Sequence, residues 1–235
     1  MQGFGEAFAA AFALIVGLDA DLIEIVGLSL RVTLSATVFA CLLGFPLGAL
    51  LAVGRFPGRG ILTVLVNALM GLPPVVVGLV VYLMLSRAGP LGALGLLYTP
   101  TAMIIAQTIL VTPIVAALTR QTVADLDAEY HETLRSMGAG SGARMQTLLW
   151  DGRFALMTTA LAGMGRALAE VGAVMIVGGN IDHVTRVMTT AIALETSRGE
   201  LALALGLGIV LMVLSLALNA LVMGARLGNV RLSHA

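Results

Sequence analysis

The side chains best placed to do work lie in one polar interval, residues 128–151, AEYHETLRSMGAGSGARMQTLLWD. Glu129, Glu132 and Arg135 charge its first half, Gly138, Ala139 and Gly140 interrupt it, and Arg144 and Asp151 follow. That pattern encodes a helix, a glycine turn and a second short helix. Its chemistry is that of a handle for another protein, not of bond making. Arg166 and Glu170 form a second constellation, an ionisable pair four residues apart inside an apolar stretch. On a helix the two neutralise each other, which suits either a structural brace or a gate latch. Pro73 and Pro74 form a third, with Thr112 and Pro113, because each proline removes a backbone donor from an apolar run. Such positions must face protein or a cavity, not lipid. Asn180, Thr189, Thr190 and Glu195 make a fourth polar group within residues 178–199, suited to a docking surface or to a plain solvated loop.

Several chemistries are excluded. All thirteen basic residues are arginine, so no P-loop lysine can grip a nucleotide and no amine can form a Schiff base. If ATP drives this protein, another subunit must bind it, and no cofactor is expected on this chain. The lone Cys41 permits neither an intrachain disulfide nor a cysteine zinc site. His183 has no second His or Cys nearby and is not expected to hold a metal. A formal net charge of zero gives no electrostatic pointer to nucleic acid.

The elements that must position these groups are membrane helices. Hydrophobic residues make up 59% of the chain and charged residues 11%, with a mean hydropathy of +1.02, which is too apolar for a soluble domain. Apolar runs long enough to cross a bilayer recur, so the expected fold class is an all-α polytopic membrane protein with about five spans. They run from about Leu28 to Val53 with Pro46 as a kink, Ile61 to Ser86, Pro100 to Ala124, Phe154 to Val177 and Glu200 to Met223. Breaks are expected at Pro73-Pro74 and at Thr112-Pro113. Residues 4–18 are short for a crossing and read as an interfacial helix, with a sixth span as the alternative. Asp19 is placed to cap the first span. The first thirty residues hold acids but no Lys or Arg, so no cleaved leader is expected. One domain, residues 1–235, accounts for the whole chain.

Arginine placement orients it. With five spans, Arg55, Arg59, Arg120, Arg135, Arg144, Arg153, Arg226 and Arg231 share one side, and Arg87, Arg186 and Arg198 the other. The arginine-rich side is cytoplasmic, which puts residues 128–151 inside the cell and residues 178–199 outside it.

Glu132-Thr133-Leu134, three residues, then Gly138 resembles the E-A-A-x-x-x-G signature of importer-type ABC permeases. Thr133 and Leu134 depart from its alanines, and Trp150-Asp151 stands where Leu-Pro is expected. GLPPVVVGL, TPTAMIIAQ to TPIVAAL, RALAEVGAVMIVGGNI and TRVMTTAIALET extend the likeness over roughly residues 25–225. In that order they look like the permeases of tungstate-type ABC importers, relatives of the molybdate permeases. The resemblance implies a homodimer in a prokaryotic inner membrane, a cytoplasmic ATPase dimer carrying ATP and Mg, and an extracytoplasmic oxyanion-binding protein. It implies tungstate as cargo, with molybdate or another small anion as the alternative. By the same resemblance Glu129, Glu132, Arg135, Gly138, Ala139 and Gly140 couple to the ATPase. Pro73, Pro74, Thr112, Pro113, Arg166 and Glu170 belong to the pathway or gate, and Asn180, Thr189, Thr190 and Glu195 to binding-protein docking. A secondary transporter, the reading from another class, wants two related halves that five spans do not readily supply.

Overall fold

A computed structural model describes residues 4–232. Residues 1–3 and 233–235 of the expected single domain lie outside the described residues, as do the side chains of Arg226 and Arg231. The described elements are all helical. They are α1 (Phe4–Val16), α2 (Ala20–Val53), α3 (Arg59–Leu69), α4 (Pro74–Leu85), a 3₁₀ turn (Gly92–Leu94), α5 (Pro100–Ser136), α6 (Ser141–Asp151), α7 (Arg153–Leu168), α8 (Gly172–Gly178), α9 (Met188–Arg198) and α10 (Leu201–Leu232).

Helix α1 has 13 residues, about 20 Å at 1.5 Å per residue against a hydrocarbon core of about 30 Å. It is too short to cross. Asp19 starts α2 as expected, its carboxylate accepting the Leu22 amide at 3.2 Å. Arg59 closes the same helix by donating to the carbonyls of Leu51 and Ala52, both at 2.8 Å.

Ala20–Val53, Pro100–Ser136 and Leu201–Leu221 are long and apolar enough to span a bilayer, and the number rises to five if α3–α4 and α7–α8 each make one broken span. The spans from 61 to 86 and from 154 to 177 are therefore not continuous helices. In the first, Pro73 is extended (φ −64°, ψ 122°) and Pro74 opens α4. That is the helix position where a missing N–H costs least. The break expected at Thr112-Pro113 does not occur, since α5 runs through Pro113 unbroken. One isolated proline removes one hydrogen bond, and the helix continues on both sides of it. Nor do residues 128–151 hold two separate short helices, because the first is the end of α5.

The described chain divides into two compact units. Among the described residues, one comprises 4–35, Pro73–Gln107 and Leu168–Leu218. Its core gathers Leu22, Ile25, Leu168, Met188, Ala191 and Leu207, with Leu14 and Ile15 of α1 packed against them. Helix α4 lies so close to α8 that a Cβ on Gly78 would sit 2.8 Å from Ala173 Cα. The other unit comprises Ala36–Leu72, Thr108–Ala167 and the described residues from 219 to 232. There the second half of α2 packs on α5 through small residues. Ala40 meets Val111, Val115 and Ala167, while Leu51 and Val66 enclose Ala116 and Ala117. Between lipid-facing helices water gives no hydrophobic drive, so this closeness is what holds them.

A Cβ on Gly48 would lie 2.5 Å from Ala116 O and 2.6 Å from Thr119 Cβ, whereas Gly60 has open space around it. Gly48→Ala should therefore cost about 1–3 kcal/mol by overpacking and lower the melting temperature in detergent. Gly60→Ala, inside α3, should leave it unchanged or raise it.

Candidate functional site

The polar interval becomes a helical hairpin. Helix α5 ends in paired backbone bonds, Gly138 N–H to Arg135 O and Ala139 N–H to Leu134 O, both at 3.0 Å. This closure puts its third-from-last carbonyl to use and requires a left-handed residue between. Gly138 supplies it with φ +70°. A side chain there would meet nothing within 4 Å, so glycine is demanded by backbone conformation, not by space. Helix α6 then folds back along α5. Leu148 is fully buried against Val123, Ala49, Ala52 and Val53. A Cβ on Gly152 would fall 3.0 Å from Leu126 of α5.

An ionic contact joins the same two helices. Arg144, near the start of α6, donates Nε–H and Nη2–H to the two carboxylate oxygens of Asp127. Its Nη2 also meets His131 Nδ1. Guanidinium has no lone pair to offer, so the imidazole nitrogen accepts. The Arg144 and Asp127 side chains are each 16% exposed. Asp127 lay just outside the interval marked in the sequence, although Asp127 and His131 at i, i+4 were readable as one helix face.

Of the residues expected to couple, Glu129, Glu132, Arg135, Gly138 and Gly140 are exposed and Ala139 is half-buried. Met137 stands beside them at the turn, 75% exposed. Sequence reading missed it because methionine in an apolar chain reads as packing. Asp151 above all, with Glu129, holds the Tyr130 phenol above its ordinary pKa. Where α6 meets α7, the Arg153 guanidinium lies 5.2 Å from the Trp150 ring centre and 4.7 Å from that of Phe154.

Of the pathway candidates, Pro73, Pro74 and Glu170 belong to one unit and Thr112, Pro113 and Arg166 to the other. Arg166 lies in the last turn of α7 and Glu170 in the break that follows. The helix ends between them, and each makes a polar or ionic contact within the protein. Glu170 is 4% exposed. Its Oε1 accepts the Ala173 amide at 3.0 Å, opening α8, and its backbone carbonyl accepts the Thr189 hydroxyl at 2.7 Å. Thr112 donates to the Thr108 carbonyl one turn earlier, at 2.7 Å, a use common for hydroxyls in apolar helices.

The segment at 178–199 is a constrained turn followed by α9. Gly179, Asn180 and His183 all take positive φ, at 71°, 50° and 54°. Thr185 braces the turn from within, donating to Gly178 O at 2.6 Å and accepting from Ile181 N at 2.9 Å. Thr189, Thr190 and Glu195 are buried, a correction to their expected place on an outer surface. Thr190 Oγ1 accepts from the Val187 amide and Glu195 takes Arg198, so these side chains shape the segment from beneath. Asn180 is half-buried and reaches the Thr190 carbonyl at 3.5 Å. The surface is formed instead by Ile181, Asp182, His183 and Val184. His183 Nδ1 lies 2.8 Å from Glu24 Oε2, and Arg186 pairs with Asp182 at 2.7 Å.

A chain of apolar helices, two of them broken pairs, with a polar hairpin between α5 and α7, suits a transport subunit moved from outside. Residues 44–225 match the family described as binding-protein-dependent transport system inner membrane component, and the chain belongs to that family. It is 40% identical to the tungstate uptake system permease protein of Peptoclostridium acidaminophilum, over 94% of this chain and 97% of that one. It is 39% identical to a probable anion ABC transporter permease protein of Haloferax volcanii, over 87% and 90%. With the tungstate uptake system permease protein of Campylobacter jejuni it shares 38% identity over 70% and 69%. These findings agree with the all-α permease class and with a membrane location.

The Glu24 hydrogen bond and charge, then Asp182, raise the His183 pKa above its ordinary value. A raised histidine gives its stabilisation fully below the ordinary imidazole range and loses it as pH rises through the raised value. The melting temperature should therefore fall between about pH 5.5 and pH 8.5 by more in the native protein than in His183→Gln. Equal falls would show that the bridge contributes nothing.

Proposed function

We propose that this chain is the transmembrane permease subunit of an ABC importer that brings a tetrahedral oxyanion, tungstate in the first place, into a prokaryotic cell. The observation that carries this reading is the 40% identity to a tungstate permease over 94% of the chain. Molybdate or another small anion is the alternative, and the likeness to a probable anion permease keeps it in view. The chain itself catalyses no reaction. Two such chains would form the path, two cytoplasmic ATPases would hold ATP and Mg, and an extracytoplasmic protein would deliver the anion.

In this reading the hairpin at residues 128–151 is cytoplasmic and the turn at 179–187 faces outward. Glu129, Glu132, Arg135 and Met137 are exposed on the hairpin, as a docking helix requires. The left-handed Gly138 fixes the turn between its helices. ATP-driven closure of the partner would push this hairpin and open the bundle to the outside. Pro73, Pro74, Thr112, Pro113, Arg166 and Glu170 are the candidates for the moving or lining parts. Buried Thr189, Thr190 and Glu195 would set the shape that the delivery protein meets, while Asp182 and His183 touch it. A path that binds weakly is what conduction needs, since the anion must leave it again. Selectivity would then sit mainly in the delivery protein.

Elemental uptake measured in cells with and without this gene, given tungstate and molybdate separately, tests the reading. Tungsten uptake should drop to background on deletion and equally with Gly138→Asp, which forces a side chain into left-handed backbone. Equal loss of molybdenum would broaden the cargo to both oxyanions. If neither metal changes, the oxyanion reading is wrong.

A further inference from the structure

We propose that Asp127, Arg144 and His131 form an ionic strut that fixes the angle between α6 and the end of α5, making them positioning residues for coupling ATP hydrolysis to transport. This rests on the coupling reading above and adds residues to it that lie outside the exposed docking face.

The need for a strut comes from the turn itself. Gly138, Gly140 and Gly142 fall within five residues, and none has a neighbour within 4 Å of where a Cβ would be. Backbone bonds close the turn at Gly138, but no side chain packs around it to resist bending, and a turn that bends absorbs a push instead of passing it on. Two separated attachments convert a hinged rod into a lever. The first is the buried Leu148 side chain, set against Val123 of α5 and Ala49, Ala52 and Val53 of α2. It allows sliding and rotation, because apolar contact has no preferred direction. The second is Arg144, one turn earlier on the same helix. Its two-pronged bond to Asp127 fixes both distance and plane. His131, one turn beyond Asp127 on α5, holds the outer nitrogen of the same guanidinium. The fork is thus gripped from two successive turns of α5.

The strut is also separate from the surface a partner would touch. Glu129, Glu132 and Arg135 are exposed, whereas Asp127, His131 and Arg144 are half-buried between the helices. Removing them should leave docking in place and loosen transmission. A lysine at 144 would keep the charge but lose the fork.

The test uses the complete importer, with its ATPase and binding protein, in proteoliposomes given radiolabelled or elementally assayed tungstate on the binding-protein side. Asp127→Asn, Arg144→Gln and their double variant are compared with the native protein for ATPase co-purification, melting temperature, hydrolysis and uptake. The expected result is a full complement of bound ATPase, with oxyanion imported per ATP reduced about ten-fold in each single variant. The double variant should be no worse than either single, the sign of one shared contact. If the single variants do not fold, Arg144→Lys carries the test, with an intermediate loss of uptake per ATP expected. An unchanged ratio, or hydrolysis and uptake falling together as ATPase is lost, would overturn the strut. A native chain that binds no ATPase would overturn the coupling reading itself, and the strut with it.

Discussion

In a chain this apolar, a backbone N–H or C=O that leaves a helix has little water to turn to and must find its partner within the protein. Several breaks among the described residues are answered in that way. Arg59 takes the open carbonyls of Leu51 and Ala52 at the end of α2. Glu170 takes an amide at the start of α8 while its own carbonyl is taken by Thr189. Thr185 serves Gly178 and Ile181 at once. At Pro74 there is no amide to satisfy. The charged and hydroxylated residues inside this sequence are therefore first of all the terms on which its helices can be interrupted.

That constraint also explains what was legible in the sequence. Long apolar runs announced the spans, Asp19 announced the start of α2, and the Gly138 turn was readable from a glycine following a charged helix. Pro73-Pro74 was readable as a break, but not as the first position of a new helix. Pro113 misled, because proline looks alike in sequence whether the surrounding helix is held by its neighbours or free to break. Arg166 and Glu170 were readable as an ionisable pair, but the helix break between them was not, and there the buried carboxylate of Glu170 accepts the Ala173 amide. Thr189, Thr190 and Glu195 looked like surface because they are polar, yet all three are buried, the threonines bonded to backbone and Glu195 to Arg198. Polarity marks a need for a hydrogen bond, not exposure.

The hairpin between α5 and α7 combines opposite demands. Its turn needs left-handed backbone and hence glycine, which makes it pliant. Its proposed role needs stiffness. Leu148 and the Arg144–Asp127–His131 contact supply that stiffness from the face turned towards α5, leaving Glu129, Glu132, Arg135 and Met137 outward. A push delivered to the outer face would then reach α5, a single helix of 37 residues, roughly 55 Å long at 1.5 Å per residue.

The most direct test of the central claim is tungstate entry into vesicles holding the purified complex. Uptake is expected only when hydrolysable ATP is on the ATPase side and loaded binding protein on the other. Uptake driven by an ion gradient with neither present would contradict it, and would mean that the bundle moves without being pushed through residues 128–151.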